Sequence, residues 1–190
     1  MTATTPSDHA NTIVRLTELL RQRSLTHGDF VLASGRRSTF YIDARKTTMS
    51  GEGQVLIGAA GLAALQSRGW HPRSVGGLTL GADPVAYAIA HTARLAGTAL
   101  DAFTVRKQVK DHGTGLRIEG CLAAGDAVVV IEDVITSGRS ALDAVVAVRE
   151  AGANVLGVLA VIDRQEGGRE AIEAAGLTVA ALVTARDLGV

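Results

Sequence analysis

The chain has 190 residues, is 47% hydrophobic and carries 19 basic and 19 acidic side chains, for a formal net charge of zero. A chain this long buries a sizeable core within one domain, and its charge balance argues against a nucleic-acid partner, because affinity for a phosphate backbone draws on a basic excess. The single cysteine, Cys121, excludes an internal disulfide and fits a reducing cytoplasm, while no apolar run reaches membrane-spanning length and the opening MTATTPSDHANT lacks the apolar centre of a signal peptide.

Residues 1–7 read as loose. Over 8–23, Ile13, Leu16, Leu19 and Leu20 recur at helical spacing, with Arg21 and Arg23 near the negative helix end. Residues 24–45 alternate polar turns with apolar pairs (FVLASG, then STFYIDAR) and predict a strand or hairpin, and 51–68 a helix ending at Gly69. The pattern then becomes rhythmic: strand 75–80, helix 83–96, strands 99–105 and 126–133, helix 139–151, strand 154–164, helix 166–175 and strand 178–184. Strands this apolar are buried on both faces, so the fold class is α/β, a parallel sheet flanked by helices. Five strands are expected, with about 51–190 as core and about 1–50 as helix and a small hood to which the last strand is a candidate addition. Such sheets bind ligands beyond the carboxyl ends of their strands, which directs attention to 132–140, 104–120 and Asp163-Arg164.

The stretch VVVIEDVITSGRSA (128–141) ends a buried strand in two acids and follows them with a small polar turn. Glu132 and Asp133 would repel each other and resist burial. As ionised acceptors they pair well with the two hydroxyls of a ribose. Thr136-Ser137-Gly138 opens a helix whose unpaired N–H groups and positive end suit a phosphate. The plainer alternative is that Thr136 or Ser137 caps the helix and the acids are solvated. No GxxxxGK[ST] occurs, which removes the main support for an ATPase.

The segment TVRKQVKDHGTGLRIEG (104–120) sets Arg106, Lys107, Lys110, His112 and Arg117 against Asp111 and Glu119, around Gly113-Thr114-Gly115. Beside a phosphate site it reads as a mobile cationic lid, with a solvated charged face as the alternative. For Phe40-Tyr41, core packing and ligand contact by the rings stay open, with backbone contact favoured. Arg164 by itself could be a surface residue following a strand. Cys121 reads as a packed thiol. His9, His27, His71 and His91 show no metal-ligand spacing.

The 128–141 stretch resembles the phosphoribosyl-diphosphate (PRPP) signature of type I phosphoribosyltransferases. The 104–120 segment resembles the catalytic loop of orotate phosphoribosyltransferases, whose pattern is RK-x-x-K-x-H-G. LASGRRSTFYIDAR (32–45), GGLTLGADPVA (76–86) and Asp163-Arg164 match the same family in order. The resemblance implies Mg²⁺-dependent reaction of PRPP with orotate to give orotidine 5′-monophosphate and diphosphate in pyrimidine synthesis. It assigns the ribose hydroxyls to Glu132 and Asp133 and the 5′-phosphate to the turn Thr136, Ser137, Gly138, Arg139 and Ser140, with Val134 and Ile135 between. Lys107 and His112 would meet the diphosphate. Arg106 and Lys110 would act on the neighbouring subunit's site in a homodimer. Lys107, Lys110 and Asp133 are the implied catalytic residues, and Thr136, Arg164, Phe40 and Tyr41 the implied orotate contacts. Many relatives have a lysine where Ala33 stands and a tyrosine-lysine pair at Leu80-Gly81; Arg36, Arg37, Arg45 and Lys46 are candidates to compensate. Rival readings are a purine or uracil phosphoribosyltransferase, opposed by 104–120 and Arg164, and a PRPP-fold regulator of nucleic acid, opposed by the charge balance.

Overall fold

Four consecutive residues without any exposure, Val128, Val129, Val130 and Ile131, can only sit in a strand covered on both sides, and the architecture follows from that. The computed structural model describes residues 6–31, 37–107 and 117–190. In chain order the elements are α1 (Pro6–Arg23), β1 (Leu25–Val31), β2 (Arg37–Ile42), α2 (Arg45–Thr48), α3 (Gly51–Ser67), β3 (Ser74–Leu78), α4 (Ala82–Leu95) and β4 (Asp101–Val105). They continue with β5 (Ile118–Gly120), β6 (Ala127–Ile135), α5 (Arg139–Glu150), β7 (Asn154–Asp163), α6 (Gly168–Ala174), β8 (Val179–Thr184) and α7 (Ala185–Leu188).

A six-stranded sheet runs in the order β5-β4-β3-β6-β7-β8. All neighbours in it are parallel except β5, which pairs antiparallel with β4. Side chains alternate across it. Val129 and Ile131 join Leu20, Ile57 and Ile89 of α1, α3 and α4 on one face, and Val128 and Val130 join Val145, Val148 and Ile172 of α5 and α6 on the other. The chain leaves β3 for β4 on one side and returns to β6 on the other, so β3 and β6 diverge at their carboxyl ends. That is the switch point at which such sheets open a crevice. A tight packing seam supports the floor beside it: a Cβ on Gly58 in α3 would lie 2.1 Å from Thr92 Oγ1 and 2.7 Å from the Ala88 carbonyl of α4.

Each of the five expected strands is present and parallel. Two placements differ from expectation. The sheet has a sixth strand, because β5 finds its hydrogen bonds on the edge of β4 within the segment read as a loop. The last strand, β8, belongs to the core sheet and not to the hood: its Val179 and Val183 are buried and it pairs along β7. The hood is the antiparallel β1–β2 hairpin. Cys121 is exposed, not packed, since it lies just beyond the short edge strand. Among the described residues no helix is long and apolar enough to cross a membrane.

Candidate active site

A cleft of 620 Å³ opens between the ends of β3 and β6. On one side the chain leaves β3 through Thr79, Leu80 and Gly81, with a cis peptide between Thr79 and Leu80. On the other, Glu132, Asp133 and Val134 form the wall. Gly81 lies so close to Asp133 that a Cβ there would sit 2.6 Å from its carboxylate. Glu132 is 7% exposed. Burial first, then the charge and hydrogen bond of Asp133, push its carboxyl up from 4.5 to about 9, with Lys107 pulling weakly the other way. At neutral pH Glu132 therefore keeps its proton, so the pair carries less negative charge than the two ionised acids expected from the sequence. Such a pair both donates and accepts, which suits a diol as well as two acceptors do.

Next, β6 delivers the polar turn. Gly138 takes a left-handed φ of 76° as N-cap of α5, and no side chain caps the helix among the described residues. The plainer reading of Thr136 and Ser137 as caps therefore does not hold: both are exposed, and with Ser140 they line the cleft. The 12-residue α5 thus turns its positive end and spare N–H groups toward the same space. A Cβ on Gly138 would stand 2.6 Å from the Gly168 carbonyl, so the turn is wedged against α6 as well as twisted. Ile135 points into the core, Gly138 is buried, and Arg139 is exposed outside the lining.

The third wall comes from β7 and the hood. Asp163 is buried and accepts from Gln165 N–H at 2.8 Å and from Arg169 Nε at 2.8 Å. It thereby fixes the exit of the strand, and Arg164 turns into the cleft instead of to the surface. Arg164 is buried, its guanidinium lies 4.9 Å from the centre of the Phe40 ring, and its Nη2 stands 2.7 Å from Glu166 Oε1. Tyr41 lines the cleft, while Phe40 is packed against the core and reaches the site through Arg164. Asp43 and Arg45, joined at 2.9 Å, complete this side. Of the candidates to replace the family lysines, Arg45 is in the cleft; Arg37 lies in a separate groove by the hood, Lys46 is exposed outside the lining, and Arg36 falls outside the described residues.

Lys107 stands in the lining at the foot of the basic segment. Arg106 pairs with Glu119 at 3.0 Å and Arg117 with Asp143 at 2.9 Å, so the two arms of the segment are clamped to each other and to α5. Lys110 and His112 lie outside the described residues. Asp83 links both sides of the cleft floor, accepting from Thr79 at 2.7 Å and from Thr104, on the strand that leads to Lys107, at 2.8 Å.

No known protein-family model matches the chain. Over 177 residues it is 49% identical to the orotate phosphoribosyltransferase of Sorangium cellulosum, covering 91% of each chain. The chain belongs to the orotate phosphoribosyltransferase family. Among solved structures, orotate phosphoribosyltransferase of Mycobacterium tuberculosis superposes with a TM-score of 0.83 at 45% identity, covering 94% of this chain and 99% of that one. The same enzyme in complex with PRPP gives 0.79 at 42% identity, over 94% and 99%. For an orotate phosphoribosyltransferase-family chain, Asp43, Thr79 and Glu166 are cleft residues that sequence reasoning did not single out. Glu166 alone left a signal, an acid two places after the strand-end arginine.

Proposed function

We propose that this chain transfers the 5-phosphoribosyl group of PRPP to orotate, forming orotidine 5′-monophosphate and diphosphate for pyrimidine synthesis. The observation that carries this reading is the Arg164 edge. Nε and Nη2 are buried without hydrogen-bond partners among the described residues, in the same cleft as the acid pair and the uncapped start of α5. Glu166 Oε1, 2.7 Å from Nη2, supplies countercharge to this edge without an aligned hydrogen bond; a buried edge lacking aligned acceptors is costly, and a planar carboxylate meets it with two parallel bonds. Uracil, adenine and hypoxanthine carry no carboxylate, so each would leave the edge unmet.

In this scheme Thr136, Ser137, Ser140 and the first N–H groups of α5 hold the 5′-phosphate, and Glu132 and Asp133 hold the ribose hydroxyls. As the anomeric C–O bond breaks, its electron pair leaves on the diphosphate and the ring nitrogen of orotate forms the new bond. The negative charge of the acid pair faces the positive charge that develops on the ribose, and Lys107 faces the departing diphosphate. Lys110 and His112 take their roles from the family resemblance.

Mg²⁺ is the expected ion. No cluster of three metal-ligating side chains occurs among the described residues; Asp133 would be the carboxylate facing a cation that takes one or two carboxylates and keeps substrate phosphates and waters as its other ligands. When bound, it supplies positive charge against the leaving diphosphate. A homodimer, with Arg106 and Lys110 serving the partner's site, follows from the family resemblance; in the single chain Arg106 pairs with Glu119 at 3.0 Å, a contact it would exchange for the partner's substrate. The lone cysteine and balanced charge support a cytoplasmic setting.

The test follows orotate absorbance with PRPP and Mg²⁺, with uracil, adenine and hypoxanthine as competing bases. Orotate is consumed, the other bases are not, and a chelator stops the reaction. Conversion of a purine in place of orotate refutes the assignment.

A further inference from the structure

Arg164 brings a positive charge to a position almost closed to water: its side chain is 5% exposed, against 21% for that of Glu166. Nε and Nη2 form one edge of the guanidinium, the geometry that grips a planar carboxylate with two parallel N–H bonds. Glu166 already stands at that edge. Its Oε1 is 2.7 Å from Nη2, close enough to neutralise the charge, yet neither Nη2 nor Nε makes an aligned hydrogen bond among the described residues. The protein's own carboxylate therefore supplies countercharge without taking up the bidentate position. Phe40 limits where the guanidinium can go, since its ring lies 4.9 Å away. Arg164 and Glu166 both line the cleft, so a second carboxylate that reaches this edge meets a like charge.

We propose that Glu166 is an internal competitor for the acceptor's carboxylate, holding the Arg164 charge until a carboxylate-bearing base displaces it. This role rests on the reading of the cleft as an orotate site and adds a specificity device to it. Displacing Glu166 lowers the affinity for orotate. Because the nucleotide product keeps the same carboxylate, Glu166 lowers its affinity as well and favours release. A purely structural Glu166, one that only orients Arg164, predicts the opposite: removing its charge loosens the arginine and weakens orotate.

Steady-state kinetics on the full chain decide between these. In Glu166→Gln, which keeps the shape and removes the charge, KM for orotate should fall at least about fivefold, the upper end for exposed charge pairs and so a lower bound for a pair this buried. KM for PRPP should stay unchanged and kcat should not rise. Glu166→Ala should move orotate KM in the same direction. An orotate KM that is unchanged or raised in Glu166→Gln, in a preparation whose wild type converts orotate normally, overturns the competitor role alone. A wild type that converts no orotate overturns the proposed function, and this role with it.

Discussion

A glutamate with 7% of its surface exposed, set against an aspartate, keeps its proton up to about 9 and links the site to the stability of the whole fold. In the unfolded chain Glu132 gives up its proton near 4.5. Between those two values the folded state binds the extra proton, so folding stability falls as pH rises through the window and the loss is absent below it. Glu132→Gln stays neutral throughout. Its melting temperature should exceed that of wild type by several degrees at about pH 8 and by much less at about pH 5, while turnover falls. An equal gap at both pH values would mean that Glu132 does not hold its proton. At this scale the site was half legible. The acids, Thr136 and Ser137 share the end of β6 and Arg164 follows the end of β7, and all carry their chemistry in their own side chains. Arg45 and Asp43 could not be assigned a place from the sequence, because only folding brings the end of β2 against β6. Ile135 was drawn into the binding run by its position in the motif, but strand alternation sends it to the core.

Among the elements, α3 and α4 meet where Gly58 has no side chain, and β3 passes between its neighbours on Gly76 and Gly77. A Cβ on either of those glycines would lie 2.0 Å from a carbonyl oxygen, of Phe103 or Ile131. Gly58→Ala should therefore cost about 1–3 kcal/mol, read as a fall in thermal midpoint of roughly 2–4 °C per kcal/mol for a chain of this size. A midpoint within a degree of wild type would show that the helices can slide apart freely. The buried strands were readable because uninterrupted apolar runs bounded by turns have few other uses. The edge strand β5 was not: three residues of intermediate or full exposure, Ile118, Glu119 and Gly120, become a strand only through the bonds that β4 offers them. The side of the molecule to which β8 belongs is likewise a matter of pairing with β7, a non-local fact that its own composition does not carry.

At the scale of the whole molecule, the proposed dimer makes each cleft depend on two chains. Lys110→Ala and Asp133→Asn should each lower kcat on the order of a hundredfold alone, the usual effect of removing one electrostatic contact to a transition state. Mixed in equal amounts and allowed to exchange subunits, they should recover about a quarter of wild-type activity, since half the dimers are hybrid and each hybrid has one intact site. No recovery would place Lys110 in its own chain's cleft. The exposed position of Cys121 offers a way to watch these events. It is the chain's sole sulfhydryl, so a thiol-reactive dye attaches at one address, directly after β5 and hence at the foot of the basic segment. Fluorescence from that address can report substrate entry and subunit exchange in the same cuvette, without any engineered residue.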